Sequence, residues 1–213
     1  MLRPIGEDDV SATKAELRAS ILVARRALPA HEHDADAHAL TEHVPALVSA
    51  ETTVCAYVPV GSEPGSHEMI DVLHRHGVRV LLPVARYDVA GIAQPLQWGE
   101  YAPGELAEGR FGLLEPEGPR LEPETIALAT TLLIPALAVD RGGVRLGRGA
   151  GFYDRSLRLA SRSARFVAVV RDDELVERLP AEPHDVSMTH ALTPRRGLVA
   201  LGRATGPGMT HAT

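Results

Sequence analysis

Several residue types are scarce in this sequence, and each shortage excludes a class of protein. The single cysteine, Cys55, cannot form an internal disulfide, and its position in an apolar run predicts a buried, inert thiol. No window approaches roughly 18 uninterrupted apolar residues, the length of a membrane span. Residues 1–14 are acidic and lack the apolar core of a secretory signal. These absences predict a cytoplasmic protein that does not cross a membrane.

Lysine is scarce too, and basic residues are outnumbered by acidic ones. One lysine, Lys14, stands beside 21 arginines, and the formal net charge is −6. This acidic balance argues against non-specific binding of nucleic acid, which needs a basic surface. No obligate protein partner is evident. A length of 213 residues with 45% hydrophobic residues suits one domain, predicted over residues 1–202, followed by a disordered tail at 203–213.

The segment Asp140–Arg158 carries the strongest local signal. It follows an apolar run at 132–139 that predicts a buried strand, and a predicted helix begins near Phe152. A glycine-rich loop before a helix lets backbone N–H groups approach an anion, and the helix dipole adds partial positive charge. Five arginines against two aspartates give the segment a local charge of +3, which favours a phosphorylated ligand. Its glycines are at positions 142, 143, 147, 149 and 151.

Spacing alone leaves the role of the charged residues open. The glycines match neither of the two common phosphate-binding patterns, so a simple turn remains as good an interpretation as a phosphate site. Lys14, Arg18 and Arg25 fall near one another on the first predicted helix, where they form either a solvated basic edge or a set of cations aimed at phosphates. Glu63 follows a predicted strand, where it either flanks the next helix or binds a ligand at the sheet edge.

Helical and strand patterns alternate along the chain. Thr13 and Glu16 fit a capping box, which predicts a first helix that starts there and ends at Pro29. Strands predicted at 52–60 and 78–84 flank a helix at about 66–76, and this order predicts parallel pairing. We therefore predict a three-layer α-β-α fold with a mostly parallel central sheet and a small irregular β-arm. Further predicted elements are helices at 31–50 and 152–161, strands at 95–101, 111–114, 130–134 and 165–170, and a final strand at 188–193.

Histidine and tryptophan raise two further possibilities. The histidines at 31, 33, 38 and 43 suggest a metal site, but their spacing does not put three on one helical face, so a solvated surface is the prediction. Trp98, the only tryptophan, either walls a ligand pocket or packs a β-arm onto the core, and packing is the favoured interpretation.

Four separated segments resemble the family of 5-formyltetrahydrofolate cyclo-ligases, also called methenyltetrahydrofolate synthetases. The central segment is RLGRGAGFYDR at 145–155, preceded by DRGG at 140–143. The shorter ones are KAELR at 14–18, EPGS at 63–66 and HD at 184–185, and the resemblance spans about residues 13–197. Two departures stand out. Phe152 occupies a position where the family often has tyrosine, and Pro64-Gly65 replaces an apolar-acidic pair.

The resemblance implies a reaction and its cofactors. The reaction is ATP-driven closure of 5-formyltetrahydrofolate to 5,10-methenyltetrahydrofolate, with release of ADP and phosphate. Both substrates are small molecules, and ATP is expected to act with Mg²⁺. Mg²⁺ prefers oxygen ligands and needs only one or two carboxylates beside phosphates and water. By resemblance, these carboxylates are Asp154 and Asp185.

The resemblance also assigns residues to each substrate. It implies that Glu63 binds the pterin end of the folate, since a carboxylate accepts paired hydrogen bonds from a 2-amino-pyrimidinone edge. The other implied substrate-binding residues are Arg148 and Tyr153. The implied catalytic residues are Lys14, Arg145 and Arg148. The implied nucleotide-binding residues are Lys14, Arg18, Arg145, Gly147, Arg148, Gly149, Gly151 and Tyr153.

Two other functions remain open, because a fold does not determine a function. The first is a non-catalytic regulator that binds folate or nucleotide on the same scaffold. The second is an enzyme of similar α/β architecture that acts on a sugar phosphate or on coenzyme A. Turnover of ATP with 5-formyltetrahydrofolate distinguishes the ligase from both.

Overall fold

The computed structural model describes residues 13–109, 112–182 and 185–202, and this part of the chain contains four α-helices and twelve strands. The helices are α1 Lys14–Ala27, α2 Ala30–His43, α3 His67–Arg75 and α4 Phe152–Ser156. The strands are β1 Thr53–Cys55, β2 Arg79–Val84, β3 Gln97–Glu100, β4 Leu106–Glu108, β5 Leu114–Pro116, β6 Thr131–Pro135, β7 Ala138–Asp140, β8 Arg145–Leu146, β9 Arg165–Val169, β10 Leu175–Val176, β11 His190–Thr193 and β12 Gly197–Ala200.

The central sheet has seven strands in the order β12-β11-β9-β6-β1-β2-β3. Its five inner strands run parallel, and the edge strands β3 and β12 run antiparallel to their neighbours. In the register of this sheet, Val54 lies opposite Val80 on one side and Thr131 on the other. The predicted mostly parallel sheet is confirmed.

Both faces of the sheet are covered, which makes three layers. Val54 and Cys55 are neighbours in β1 but belong to different buried clusters, because successive side chains of a strand point to opposite faces. On the face of Val54, α2 and α3 contribute Leu40 and Met69 to the cluster. On the face of Cys55, the cluster includes Ile126, from a short 3-10 helix at 123–128, and residues next to α4. The predicted β-arm corresponds to the separate two-stranded sheet of β4 and β5.

A second sheet of three strands, in the order β10-β7-β8, was not predicted from the sequence. Its strands are two or three residues long, too short to show a period-2 pattern. Helix α1 packs on this sheet through Leu17 and Ile21, which contact a cluster containing Leu137 and Leu146. The start of α1 agrees with the prediction, since Thr13 and Glu16 form both halves of the capping box. This packing brings the cations of α1 towards the segment that contains the glycines.

Several predicted boundaries are wrong. Strand β1 ends at Cys55 rather than at residue 60, because the chain turns away towards Glu63 and Pro59 has no N–H to donate. Helix α2 ends at His43 and continues as a 3-10 helix that contains Pro45. Helix α4 has five residues instead of ten and is also continued by a 3-10 turn. Strand β11 is not the last one, since β12 follows and pairs with it.

Some sequence predictions lie outside the described residues. These are the tail at 203–213, the beginning of the strand predicted at 111–114, and the histidine of the motif at 184–185. The assignment of residues 1–202 to one domain stays a prediction. Among the described helices, none combines the length and the apolar character needed to cross a bilayer.

Cys55 provides a simple probe of this fold. Its side chain is buried in the centre of the sheet, and burial raises the pKa of the thiol, so the reactive thiolate is scarce. We expect a thiol-specific reagent to label the denatured chain completely. In the same time it should leave the native protein unlabelled. Mass spectrometry of both samples checks this, and rapid labelling under native conditions would contradict the buried position.

Gly143 is the glycine whose replacement should affect stability most. Its φ is +93°, and an added Cβ would overlap with the backbone carbonyl oxygen of Met188. We expect Gly143→Ala to lower the free energy of unfolding by about 2–3 kcal/mol, through backbone strain and overpacking. Gly142→Ala is the matched control, because an added Cβ there would come no nearer than 3.3 Å, to Asp140, and φ is not positive. Urea unfolding of both variants measures the difference, and equal stabilities would contradict the close approach.

Candidate functional site

One cavity of about 390 Å³ opens at the carboxyl ends of three inner strands. Val58 and Val60 line it beyond β1, Ala85 lies just after β2, and Pro135 and Ala136 lie at the end of β6. In open α/β sheets, ligands bind at this edge. The lining combines apolar side chains with a few charged ones, as in most small-molecule sites.

The glycine loop forms one wall of this cavity. All residues from Gly147 to Asp154 contribute to the lining, and Gly149 and Gly151 have positive φ values of 98° and 78°. Arg18 of α1 donates a hydrogen bond from Nε to the carbonyl oxygen of Gly147 at 2.9 Å. The first helix therefore docks on the loop, as a set of ligand-binding cations requires. Because α4 has only five residues, its dipole adds less positive charge than the sequence suggested.

Glu63 also lines the cavity, and the residue is 8% exposed. The N–H of Val60 donates to its Oε2 at 3.1 Å, and Nε of Arg148 lies 3.0 Å from its Oε1. The hydroxyl of Tyr57 fixes the same turn by donating to the carbonyl of Pro64 at 2.6 Å. Burial raises the pKa of the Glu63 carboxyl above its ordinary value, and the charge of Arg148 and the N–H of Val60 oppose this rise. Glu63 is therefore held in position inside the cavity, and its contacts are not those of an acid that only flanks a helix.

Arg145 and Asp154 form an ion pair beside the loop, with 2.6 Å between Nη2 and Oδ1. The guanidinium of Arg145 also lies over the ring of Tyr153, 5.7 Å from its centroid. Burial raises the pKa of Tyr153, so its phenol is neutral at physiological pH. Phe152, which also lines the cavity, packs edge-on against Tyr87 with 5.1 Å between ring centroids.

Lys14 and Asp185 meet beside the cavity, outside its lining. Nζ of Lys14 lies 3.2 Å from Oδ2 of Asp185 and 3.1 Å from Oε1 of Glu182. Asp185 also accepts a hydrogen bond from the N–H of Glu182 at 2.9 Å. The two residues predicted from separate motifs, 171 positions apart, are therefore in contact. Glu182 had no motif to identify it.

The predicted metal ligands offer the oxygen atoms that Mg²⁺ prefers, but Asp154 lines the cavity whereas Asp185 lies outside its lining. Arg145 binds Oδ1 of Asp154, and Lys14 binds Oδ2 of Asp185, so each side-chain contact involves one of the two carboxylate oxygens. The described residues contain no group of three or more histidine, cysteine, aspartate or glutamate side chains able to hold a metal. One or two carboxylates suit a hard cation that takes most of its ligands from phosphates and water. They do not suit a cation that needs all of its ligands from the protein.

A buried ion pair under the cavity was missed by the sequence analysis. Arg25 donates from Nε and Nη2 to the two carboxylate oxygens of Glu174 at 2.6 and 2.7 Å, and Nη2 also donates to Ala136 O at 2.7 Å. Burial opposes the charge of Arg25, but the hydrogen bonds and charge of Glu174 outweigh it and raise the pKa of the guanidinium. Arg25 lines the cavity and so is not part of a solvated basic edge. The partner of Arg25, Glu174, belongs to the acidic run at 172–174 after β9, and this run is the only sign of it in the sequence.

Trp98 and the histidines lie away from the cavity lining. Trp98 is 1% exposed and packs in the core, in agreement with the favoured interpretation. Nε2 of His43 lies 3.0 Å from the carbonyl oxygen of Pro194, and His38 lies near Glu42 on the exposed side of α2. These two histidines contact backbone or solvated acids.

The fold and the cavity define a class of protein: an α/β protein with a cleft at the carboxyl ends of its parallel strands, lined by a basic glycine loop and a buried carboxylate. Residues 10–194 match the 5-formyltetrahydrofolate cyclo-ligase family. This chain therefore belongs to that family.

Similar proteins cover nearly the same length. The chain is 58% identical over 189 residues to the 5-formyltetrahydrofolate cyclo-ligase of Mycolicibacterium smegmatis, covering 89% of this chain and 97% of the relative. It is 33% identical over 177 residues to the enzyme of that name from Escherichia coli, covering 81% and 95%. The solved structure of Aquifex aeolicus 5,10-methenyltetrahydrofolate synthetase matches with a TM-score of 0.69 and 26% identity, covering 93% of this chain and 96% of that one. The Mycoplasma pneumoniae synthetase matches in fold with a TM-score of 0.64 and 22% identity, covering 83% and 96%.

Proposed function

We propose that this chain catalyses the ATP- and Mg²⁺-dependent cyclisation of 5-formyltetrahydrofolate to 5,10-methenyltetrahydrofolate, with release of ADP and phosphate. Membership of the cyclo-ligase family supports the reaction. The observation that carries the proposal for this chain is that Glu63 and the glycine loop line the same cavity. A carboxylate for the folate and a basic loop for phosphates are thus within reach of one another.

The proposed folate site is the apolar part of the cavity with Glu63 at its end. The carboxylate of Glu63 accepts hydrogen bonds from the 2-amino-pyrimidinone edge of the pterin. Tyr153 lines the same cavity from the first turn of α4, and as a neutral phenol it offers a ring face and one hydroxyl. We assign Arg148 to both substrates, because it lines the cavity and contacts Glu63.

The proposed nucleotide site is the basic glycine loop together with α1. Backbone N–H groups of the loop surround the phosphates, and Arg145 and Arg148 offset their charge. Arg18 of α1 contacts the loop. Lys14, the first residue of the same helix, contacts Asp185. The proposed nucleotide-binding residues are Lys14, Arg18, Arg145, Gly147, Arg148, Gly149, Gly151 and Tyr153.

Catalysis in this proposal consists of positioning and charge neutralisation. The formyl oxygen takes the γ-phosphoryl group of ATP, and ADP leaves. N10 of the folate then attacks the activated carbon, N10 loses its proton, and the bond from carbon to the phosphorylated oxygen breaks, so that phosphate leaves with that oxygen. Lys14, Arg145 and Arg148 stabilise the charge that develops on the phosphoryl oxygens, and the apolar lining keeps water from the intermediate. Mg²⁺, held by Asp154 and Asp185, would supply further neutralisation of the phosphates.

We expect the enzyme to act in the cytoplasm on these small molecules without an obligate protein partner, because the proposed chemistry requires none. A phosphate-release assay tests the proposal. Release should require 5-formyltetrahydrofolate and Mg²⁺ together with ATP, and each phosphate released should accompany one ADP. Folate binding without phosphate release would indicate the non-catalytic regulator instead. Tight binding of a sugar phosphate with no response to ATP would indicate an enzyme that acts on a sugar phosphate or on coenzyme A.

A further inference from the structure

The ion pair between Arg148 and Glu63 joins the two proposed substrate sites. Its partners differ in freedom: the side chain of Arg148 is 49% exposed, whereas that of Glu63 is 10% exposed. Glu63 is also held by the N–H of Val60. Arg148 lies between two glycines, and Gly149 has a φ of +98°. Arg148 is therefore the partner able to move, and Glu63 is the fixed one.

The other arginines at the loop are held in place by their contacts. Arg145 is 8% exposed and paired with Asp154, and Arg25 is buried in its fork with Glu174. Arg18 donates to the backbone of Gly147. Among the arginines that line the described cavity, Arg148 alone combines substantial exposure with an ion pair to the folate-binding carboxylate.

The folate and Arg148 compete for one carboxylate. Arg148 binds Oε1 of Glu63 and the Val60 N–H binds Oε2, so both oxygens have donors. A carboxylate has about four acceptor sites, so a 2-amino-pyrimidinone edge with two donors can bind beside the N–H of Val60, but at Oε1 one of these donors competes with the guanidinium for space. Nucleotide phosphates offer it another partner, since a guanidinium binds phosphate and carboxylate alike.

We infer that Arg148 couples the two substrates: bound nucleotide draws its guanidinium from Glu63 to the phosphates, and Glu63 then becomes available to the folate. This inference rests on the proposed function. It adds that binding of one substrate promotes binding of the other, and it gives the physical reason. The positive charge of Arg25 lies close enough to act on Glu63 after Arg148 has moved. Because coupling is reciprocal, folate should favour the nucleotide by the same factor.

Isothermal titration calorimetry tests the coupling in the intact protein. We expect 5-formyltetrahydrofolate to bind about 5- to 20-fold more tightly when a non-hydrolysable ATP analogue and Mg²⁺ are present, at the lower end of typical couplings because Arg148 is half-exposed. The analogue should gain the same factor from the folate. In Arg148→Gln, the factor should fall to about 1, whatever the affinity of this variant for folate alone.

Arg141→Gln is the matched control. Arg141 lies in the same segment, is 50% exposed and forms one ion pair, with Glu177 at 2.8 Å, but it is not part of the cavity lining. It should keep the wild-type coupling factor. A factor near 1 in the wild type, or an unchanged factor in Arg148→Gln, would overturn the inference while the methenyl product still forms. Failure of the wild type to bind either ligand would instead overturn the proposed function.

Discussion

Lys14→Met is expected to lower kcat by about 10²- to 10³-fold, the loss that follows removal of one preorganised charge partner of a transition state. Lys14 is placed for this role by the first turn of α1, whose capping box fixes the helix start. Arg18 of the same helix contacts the glycine loop, so α1 brings Lys14 alongside the proposed phosphate site. Initial rates at saturating ATP and 5-formyltetrahydrofolate measure the loss.

Two further variants separate catalysis from surface charge. Lys14→Arg retains the charge but replaces a compact ammonium with a planar fork, and we expect it to lose at least about 10-fold in kcat. Arg26→Gln removes an exposed charge from the last turn of the same helix and should keep wild-type activity. Thermal unfolding of all three variants shows whether a loss of kcat comes with a loss of stability, because the side chains of Lys14 and Asp185 are only 18% and 17% exposed and their ion pair is partly buried. Wild-type kcat in Lys14→Met would remove Lys14 from the catalytic residues.

Glu63→Gln is expected to lower kcat/KM for 5-formyltetrahydrofolate by about 10- to 100-fold. The amide loses the charge that strengthens hydrogen bonds from the pterin, and hydrogen bonds to charged groups contribute about 1.5–3 kcal/mol. The amide nitrogen also places a donor where the pterin presents donors. Rates measured over a range of folate concentrations at fixed, saturating ATP give this ratio.

The control for Glu63→Gln is a substitution of another glutamate that forms an ion pair with an arginine of the segment 140–158. Glu177 is 79% exposed and paired with Arg141, away from the cavity lining. Glu177→Gln should leave kcat/KM for the folate unchanged within about twofold, as expected of a surface substitution. If both variants behave alike, Glu63 does not bind the folate.

The parts of the fold that follow from local patterns could be predicted from the sequence. Residues 79–84 form a strand and 67–75 a helix close to the predicted limits, because apolar periodicity and a glycine cap mark them locally. The parallel sheet then follows from the β-α-β order, and the sheet edge brings Glu63 to the glycine loop. The placement of Glu63 thus depended on a general property of α/β sheets together with a family motif.

The remainder depends on contacts between distant parts of the chain. Arg25 and Glu174 are 149 positions apart, and the acidic run that contains Glu174 does not indicate which arginine it pairs with. The second sheet consists of strands too short to be periodic, and the position of α1 follows from packing on that sheet. The ion pair of Arg148 with Glu63 likewise appears only when the folded loop faces the strand end. Local sequence patterns carry no information on such pairs.

Absorbance of the methenyl product, recorded with and without ATP, tests the proposed function most directly. The purified protein, mixed with 5-formyltetrahydrofolate and Mg²⁺ at neutral pH, should form product only after ATP is added, in an amount equal to the ADP released. Binding of both ATP and 5-formyltetrahydrofolate with no ATP-dependent appearance of that absorbance would contradict the assignment of this chain as an active cyclo-ligase.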